Sequence, residues 1–152
     1  MGYLKKVLKK KNFLKLIQKK VKNVNLIDTA PSYNNVEKII GKHNSLNYEI
    51  ITKFNKTISR NKIEKFYEIK EGFTQSLNNL KNKKIYAVLF HNVDDINILK
   101  NIDIKDNFNK LINGSKVKVG FSCYDINNIE KFLKIYKFDK IQIPLNPFNI
   151  NK

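Results

Sequence analysis

Hydrophobic positions along the chain follow two patterns, a period of about 3.6 residues and short continuous apolar runs. The first pattern is typical of amphipathic helices, and the second is typical of strands buried on both faces. Helices are predicted at 3–22, 35–43, 62–81, 94–101, 105–113 and 125–136. Strands are predicted at 24–28, 48–53, 85–91, 117–122 and 139–144.

The regular alternation of strands and helices predicts βα units, and hence a parallel sheet with right-handed crossovers. Continuous apolar strands fit a sheet that is covered on both faces or closed into a barrel. A doubly wound dinucleotide fold would need a glycine-rich phosphate turn, and the sequence has neither G-x-G-x-x-G nor a P-loop. We therefore expect a (β/α) barrel architecture, with Gly41 stopping the helix at 35–43 and Asp125 capping the last helix.

Length, cysteine content and apolar runs bear on domain count and compartment. At 152 residues and 41% hydrophobic content, the chain is expected to form one folded domain over 1–152. Cys123 is the one cysteine, which excludes an internal disulfide and fits a reducing cytoplasm. No apolar run approaches the roughly 20 residues needed to cross a bilayer, and no secretory signal is visible. We expect a cytoplasmic protein with no membrane partner.

The net charge of +17 is the one unusual bulk property, and it would favour nucleic acid or an anionic membrane surface as a partner. Almost all of the cations are lysines scattered among asparagines, and lysine is the weaker choice for bidentate recognition of phosphates or bases. The one dense cluster, at 5–22, lies on a predicted helix and is expected to be a solvated face. A nucleic-acid-binding domain is kept as a minor alternative, without a stacking-aromatic motif to support it.

Each predicted strand ends on a polar side chain. In chain order these residues are Asp28, Lys53, His91, Ser122 and Gln142. The carboxyl ends of the strands of a (β/α) barrel form its active face, so these side chains are expected to lie close together. Each could be an ordinary strand-exit residue, but a carboxylate, an ammonium and an imidazole on three successive strands form an acid–base set. Tyr33, in the turn after the first strand, adds a phenol to this set.

These side-chain types suit the reduction of a carbonyl group. Hydride transfer to a carbonyl needs a proton on the oxygen, and a tyrosine can donate that proton. A nearby ammonium stabilises the phenolate that is left, and a carboxylate behind the ammonium fixes the lysine in place. A histidine can hydrogen-bond the carbonyl oxygen. The enzymatic alternative is a Schiff base on Lys53, as in lyases or aldolases, which Asp28 and Tyr33 fit less well.

The ordered set of motifs resembles the aldo-keto reductase family. The matching segments are IDTAPSY…VEKIIG (27–41), IITK (50–53), SLNNL…IYAVLFH (76–91), VKVGFSCYD (117–125) and DKIQIPLNPF (139–148). The resemblance covers about residues 3–150. It implies a TIM (β/α)8 barrel and the reversible reduction of aldehydes and ketones to alcohols with NADP(H) or NAD(H).

By resemblance, the strand-end residues and Tyr33 supply a catalytic tetrad and a set of residues that bind the nicotinamide cofactor. The tetrad, with the tyrosine as general acid, would be Asp28, Tyr33, Lys53 and His91. The residues that would hold the nicotinamide carboxamide are Ser122, Cys123 and Gln142. Cys123 replaces the family's usual asparagine, so it is weighed as a packing residue and as a reactive thiol, with packing favoured. Asn34 replaces the glycine that usually follows the tyrosine.

Two further expectations concern metals and a histidine outside this set. With two histidines and one cysteine, the sequence offers no metal-site spacing, and no metal is expected. His43 follows the predicted helix at 35–43 and is expected to be an exposed loop residue. Neither expectation changes the chemistry that the strand ends suggest.

The resemblance also implies an incomplete barrel. A complete (β/α)8 barrel needs roughly 250 residues, whereas the five predicted strands here match the family's second to sixth. We therefore expect a truncated, partial barrel that lacks the segments clamping the cofactor's pyrophosphate and adenosine phosphate. Open edges at 24–28 and 139–144 would favour self-association or a complementing chain. A catalytically inactive barrel remnant that acts as a binding or assembly partner is the alternative from a different functional class.

Overall fold

The computed structural model describes residues 25–42, 48–81 and 84–144. The predicted helix at 3–22, His43 and the end of the last matched segment, 145–148, lie outside these residues. Within them, five strands form one sheet in the order of the chain. They are β1 (Leu26–Asp28), β2 (Glu49–Phe54), β3 (Ile85–Phe90), β4 (Lys118–Ser122) and β5 (Lys140–Gln142).

All neighbouring strands in the sheet are parallel and consecutive in the chain. A doubly wound sheet would reverse its strand order at a switch point, whereas a barrel keeps the order of the chain. With its flanking helices the sheet forms a curled half-barrel. The prediction of a partial TIM barrel with about five parallel strands is therefore confirmed.

Helices alternate with the strands. They are α1 (Val36–Lys42), α2 (Lys62–Leu80), α3 (Ile102–Ser115) and α4 (Ile129–Leu133), with 3-10 helices η1 (Val93–Lys100) and η2 (Ile126–Asn128). The segment predicted as one helix at 125–136 is the largest departure, because it splits into η2 and the short α4. Asp125 does act as an N-cap, but it caps η2, where its side chain accepts from Asn127 N at 3.0 Å. None of the described helices is both long and apolar enough to span a bilayer.

Asparagine side chains begin two of the longer helices. Asn61 Oδ1 accepts hydrogen bonds from the amides of Ile63 at 2.8 Å and Glu64 at 3.4 Å. Asn101 Oδ1 accepts from the amide of Ile104 at 3.0 Å. Such caps satisfy backbone donors that have no partner within the helix. Part of the asparagine content therefore has a structural use.

The main core lies between the sheet and the helices α2 and α3. Phe54, Phe90 and Phe108 form its centre, with ring centroids 4.9–5.8 Å apart in tilted and edge-on contacts. Each of the three is at most 1% exposed. Because Phe54 is on β2 and Phe90 on β3, this core fixes the strands that carry Lys53 and His91 at their ends.

Gly41 is the next-to-last residue of α1, close to the helix end that the sequence predicts, and it packs against α2. A Cβ atom at Gly41 would lie 2.1 Å from the backbone oxygen of Asn79 and 3.0 Å from the carbonyl carbon of Leu80. No side chain fits in that space, so only glycine allows α1 to approach α2 this closely. Gly41 therefore has a packing role in addition to its place near the end of the helix.

Candidate active site

The carboxyl edge of the sheet contains a cavity of about 160 Å³. Its lining residues are Asp28, Tyr33, Lys53, His91, Ser122, Tyr124, Gln142, Ile143 and Pro144. All of the site residues predicted from the sequence, apart from Cys123, line this one cavity. The structure therefore brings the strand-end side chains together, as expected for a parallel sheet.

Lys53 and Asp28 make the closest polar contact of the cavity. Lys53 Nζ donates to both carboxylate oxygens of Asp28 at 2.7 Å and to the backbone oxygen of Thr29 at 3.1 Å. The Lys53 side chain is 3% exposed and that of Asp28 is 38% exposed. A buried ammonium is costly without an anion and hydrogen-bond acceptors. Asp28 and Thr29 supply both, and they fix Lys53 at one position.

Strand register produces this pair. Asp28 is opposite Ile51, two residues before Lys53 on β2. Side chains two residues apart on a strand share a face, so Lys53 reaches Asp28 diagonally across the pair of strands. Thr52, between Ile51 and Lys53, points to the opposite face, where its hydroxyl donates to Glu37 at 2.6 Å.

Glu37 anchors β2 from the helical side, and sequence analysis missed it. Its carboxylate, in a side chain that is 2% exposed, accepts hydrogen bonds from Thr52 Oγ1, from Ser76 Oγ at 3.2 Å and from Asn79 Nδ2 at 3.4 Å. These contacts join α1, β2 and α2 directly beneath the strand segment that carries Lys53. Glu37 could have been recognised from its position three residues before the apolar Ile40, because this spacing places both side chains on the same face of a helix.

A second buried carboxylate, Asp95 on η1, joins the segment after β3 to the loop that follows β2. Asp95 is 2% exposed and accepts from Thr57 N at 3.1 Å and from Thr57 Oγ1 at 2.6 Å. Lys65 Nζ donates to it at 3.3 Å. Since the loops leave the strands just beyond Lys53 and His91, these contacts help to fix the edge of the cavity.

Tyr33 is positioned by a turn that requires a left-handed residue. Tyr33 N donates to the backbone oxygen of Ala30 at 3.0 Å, and the next residue, Asn34, has a φ of 55°. Asparagine adopts this conformation more readily than most other residues with a side chain. Asn34, at the position where the sequence resemblance leads one to expect glycine, therefore adopts the left-handed conformation that this turn requires.

The Tyr33 ring lies close to both Lys53 and His91. Lys53 Nζ is 5.5 Å from the centre of the ring, and the His91 ring centroid is 6.5 Å away in an edge-on arrangement. The Tyr33 side chain is 43% exposed. A phenol, an ammonium and an imidazole thus share one small open cavity, which is a suitable set for proton transfer to a bound ligand.

Ser122 and Gln142 lie side by side at the ends of β4 and β5. Gln142 Oε1 is buried and has no hydrogen-bond partner among the described residues. Leaving a buried acceptor unpaired costs about 1–3 kcal/mol. An N–H group of a ligand in this part of the cavity would remove that cost.

Cys123 does not reach the cavity, unlike the other predicted cofactor contacts. Its side chain is 3% exposed and belongs to the core cluster that includes Phe121 and Phe132. Its Sγ donates to the backbone oxygen of Asp125 at 3.0 Å. Successive side chains of an extended segment point to opposite faces, so Ser122 faces the cavity and Cys123 faces the helices. Packing is the role that the structure shows for Cys123.

Three further lining residues were missed from the sequence, namely Tyr124, Ile143 and Pro144. Tyr124 is 80% exposed. It follows Ser122 by two residues, the spacing at which side chains of an extended segment share a face, and this spacing could have identified it. Among the described residues, no three His, Cys, Asp or Glu side chains are grouped as a metal site would require.

Solved structures with the same fold are aldo-keto reductases of low sequence identity. PA4992 from Pseudomonas aeruginosa, assigned to the aldo-keto reductases, is 20% identical with a TM-score of 0.69 over 100% of this chain and 59% of its own. An aldo/keto reductase from Brucella melitensis is 20% identical with a TM-score of 0.60 over 90% and 54% of the two chains. A variant of Gox0644 in complex with NADPH is 17% identical, with a TM-score of 0.54 over 82% and 45%.

At these identities, the similarity to solved structures establishes the fold. The chain spans 59% of the length of PA4992 and 54% of the length of the Brucella protein. No curated protein sequence matches it. The model of the aldo/keto reductase family, in contrast, matches residues 7–152, which is nearly the whole sequence. This match, together with the half-barrel and the cavity at its carboxyl edge, shows that the chain belongs to the aldo/keto reductase family.

Proposed function

We propose that this chain carries the proton-donating part of an oxidoreductase that reduces aldehydes or ketones with NADPH or NADH. The observation that carries the proposal is the Lys53 ammonium, held by Asp28 and lying beside the Tyr33 ring. Membership of the aldo/keto reductase family supports it, as does a structural neighbour that binds NADPH.

Tyr33 is the general acid of the proposed reaction. As hydride forms a new C–H bond at the carbonyl carbon, the phenol donates its proton and an O–H bond forms on the oxygen. The Lys53 ammonium, 5.5 Å from the ring centre, stabilises the phenolate that remains. Asp28 keeps Lys53 in place through its two hydrogen bonds of 2.7 Å.

His91 and the β4–β5 pair orient the reactants. His91 faces Tyr33 across the cavity and hydrogen-bonds the carbonyl oxygen that receives the proton. A nicotinamide cofactor, when bound, supplies the hydride. Gln142 Oε1, a buried acceptor without a partner among the described residues, fits the N–H of a carboxamide, with Ser122 beside it. Cys123 is left out of this contact because its side chain lies in the core.

The environment of Lys53 favours reduction over Schiff-base chemistry. Schiff-base formation needs a free amine that can attack a carbonyl carbon. Lys53 Nζ instead donates to three acceptors, and its side chain is 3% exposed. An ammonium held in this way serves electrostatic stabilisation better than nucleophilic attack.

The decisive variant is Tyr33→Phe, which removes the acidic hydroxyl and keeps the ring. We expect carbonyl-dependent NADPH oxidation to fall by about 10²–10⁴-fold, the usual contribution of a general acid. Binding of NADPH, followed by its fluorescence, should stay unchanged. Tyr67→Phe is the matched control, because Tyr67 is 56% exposed on α2 and does not line the cavity. Full activity of Tyr33→Phe would refute the proposal.

Gln142→Leu tests the cofactor contact separately. The substitution keeps the side-chain size and removes the unpaired acceptor, so NADPH binding should weaken while the fold is kept. A wild-type chain that neither binds NADPH nor oxidises it with any carbonyl would count against the enzyme, and would favour the inactive remnant that acts in assembly.

We also propose that a second copy of the chain associates along the edges of the sheet. Among the described residues, β1 pairs with β2 alone and β5 with β4 alone. Leu26 on β1 and Ile141 on β5 are each 39% exposed. Unpaired strand edges are templates for pairing with another chain. Sedimentation over a wide concentration range should show a dimer or larger species, whereas a strict monomer would contradict this and leave a complementing chain to be sought.

A further inference from the structure

A second cavity lies on the helical side of the molecule, between the end of η1, the start of α3 and the region of α4. Its volume is about 450 Å³, and it shares no lining residue with the candidate active site. Four lysines line it together with three apolar side chains, and these lysines are Lys100, Lys105, Lys131 and Lys134. We refer to this cavity as the lysine cleft.

The positive charge of the lysine cleft has no counterpart in the part of the chain that the structure describes. No carboxylate lines the cleft, although Asp103 and Glu130 lie on the same helices. None of the four ammonium groups has an ion pair within 4.0 Å among the described residues. In contrast, Lys53, Lys65 and Lys84 each pair with a carboxylate.

Four like charges around one cavity repel each other, and an anion between them would relieve that repulsion. Lysine is a common phosphate ligand, which it binds as a point charge rather than as a planar fork. The number of lysines around the cleft matches a ligand with several negative charges better than a single carboxylate. The cleft volume of about 450 Å³ falls within the range of about 300–1,000 Å³ that is usual for small-molecule sites.

The lysine cleft also has an apolar wall and one lysine that is already held in place. Ile102, at the start of α3, is 66% exposed and lines the cleft, with the buried Leu99 behind it. Lys105 is half-buried, donates to the backbone oxygen of Ile135 at 3.3 Å and lies 5.9 Å from the centre of the Tyr136 ring. An exposed apolar side chain beside several ammonium groups suits an anion that carries an organic moiety.

We propose that the lysine cleft binds a small organic anion that carries two or more phosphate groups, of the nucleoside diphosphate type. The phosphates contact the lysines, and the organic part covers Ile102. This site is independent of the proposed oxidoreductase function, because none of its residues lines the cavity that contains Lys53.

The test compares two double variants that have the same net charge. Lys131→Gln with Lys134→Gln removes two cleft ammonium groups, whereas Lys70→Gln with Lys110→Gln removes two exposed ammonium groups that do not line the cleft. Binding of ADP and of pyrophosphate is measured by calorimetry at physiological ionic strength. We expect the cleft variant to bind ADP about tenfold more weakly or worse, since it loses two charge-assisted contacts. The control variant should bind like the wild type.

A second measurement uses the wild-type chain and does not depend on any variant folding. Saturating ADP should slow the chemical acetylation of Lys131 and Lys134, while Lys70 reacts at an unchanged rate. The proposal is overturned by equal loss of affinity in both double variants, which would show that binding follows net charge alone. It is also overturned if ADP does not bind, or if a single-stranded oligonucleotide depends on the cleft lysines and ADP does not.

Discussion

The two faces of the half-barrel sheet hold their side chains by different means. On the helical face, Phe54, Phe90 and Phe121 pack into the core and are at most 1% exposed. On the cavity face, Lys53 is held by ionic and hydrogen-bond contacts to Asp28 and Thr29. Packing therefore fixes the strands, and polar contacts then fix the reactive groups on them.

Two tyrosines show the same contrast in their acidity. Lys118 Nζ donates to Tyr86 Oη at 3.2 Å, and Lys140 lies 5.3 Å from the ring centre. The ammonium groups of Lys140 and Lys118 stabilise the phenolate, so they lower the pKa of Tyr86. Tyr136 packs against Phe108 on the helical side, and there burial raises the pKa. The pKa of tyrosine therefore shifts in opposite directions beside two ammonium groups and among buried aromatic rings.

The largest expected effect comes from breaking the helical face. Phe108 is fully buried and contacts Phe54, Phe90 and Tyr136. Phe108→Ala should lower the free energy of unfolding by about 3–5 kcal/mol, because it leaves a cavity among aromatic rings. Urea unfolding followed by circular dichroism measures the loss. Ile51→Ala, at a half-buried position on the cavity face, should cost less than half as much, and equal costs would remove the distinction between the faces.

The next largest effect is expected on the cavity face. There, replacing one partner of the ion pair between Asp28 and Lys53 should cost more unfolding free energy than replacing the other. Asp28→Asn leaves the Lys53 ammonium buried without its anion, and should cost about 2–3 kcal/mol of unfolding free energy. Lys53→Met removes the buried charge itself, and Asp28, which is 38% exposed, can be hydrated. We expect Lys53→Met to cost less than about 1 kcal/mol.

The same unfolding experiment measures both variants of the ion pair and their double variant. If Asp28→Asn and Lys53→Met destabilise the fold equally, then burial of the ammonium is not what makes the pair important. In that case Lys53 would be held by its aliphatic stem, as a packing residue is.

The sequence allowed good prediction of the strands and of the strand-end residues, for a physical reason. Mostly apolar segments define buried parallel strands, and the polar residues at the carboxyl ends of these strands fall at the same edge of the sheet. Asp28, Lys53, His91, Ser122 and Gln142 were all found in this way, and all line one cavity. Their catalytic roles stay a prediction that the variants of Tyr33 and Gln142 test.

What the sequence did not reveal depends on contacts between segments far apart in the chain. Glu37 accepts from Thr52, Ser76 and Asn79, and no local pattern shows that these residues meet. Cys123 was grouped with Ser122 because the two are adjacent, although adjacent side chains on a strand face opposite sides. The four lysines of the lysine cleft come together from η1, α3 and the region of α4, which only the tertiary fold can show.

Replacing either of two glycines by alanine tests how closely α1 and α2 must pack against each other. A Cβ at Gly41 would lie 2.1 Å from the backbone oxygen of Asn79, so Gly41→Ala should push α1 away from α2 and cost about 1–3 kcal/mol. Gly72 lies within α2, and a Cβ there would meet no heavy atom within 4 Å. Gly72→Ala should therefore stabilise the helix by about 0.5–1 kcal/mol.

Thermal unfolding gives the sign of both glycine effects. The pair uses the same substitution on two packed helices, of which only α1 has a close backbone contact at its glycine. Destabilisation by both variants to the same extent would mean that α1 does not approach α2 as closely as the contact between Gly41 and Asn79 indicates.

The smallest effect is the difference in acidity between the two tyrosines. In an alkaline titration of phenolate absorbance, Tyr86 should ionise below the ordinary tyrosine pKa of 10.0 and Tyr136 above it. Tyr86→Phe should therefore remove an early component of the titration, and Tyr136→Phe a late one. Replacing Lys140 and Lys118 by Met should move the early component back towards 10.0, since the ammonium groups cause the shift. An early component that persists in Tyr86→Phe would assign it to another tyrosine, and the contrast in acidity between Tyr86 and Tyr136 would then be lost.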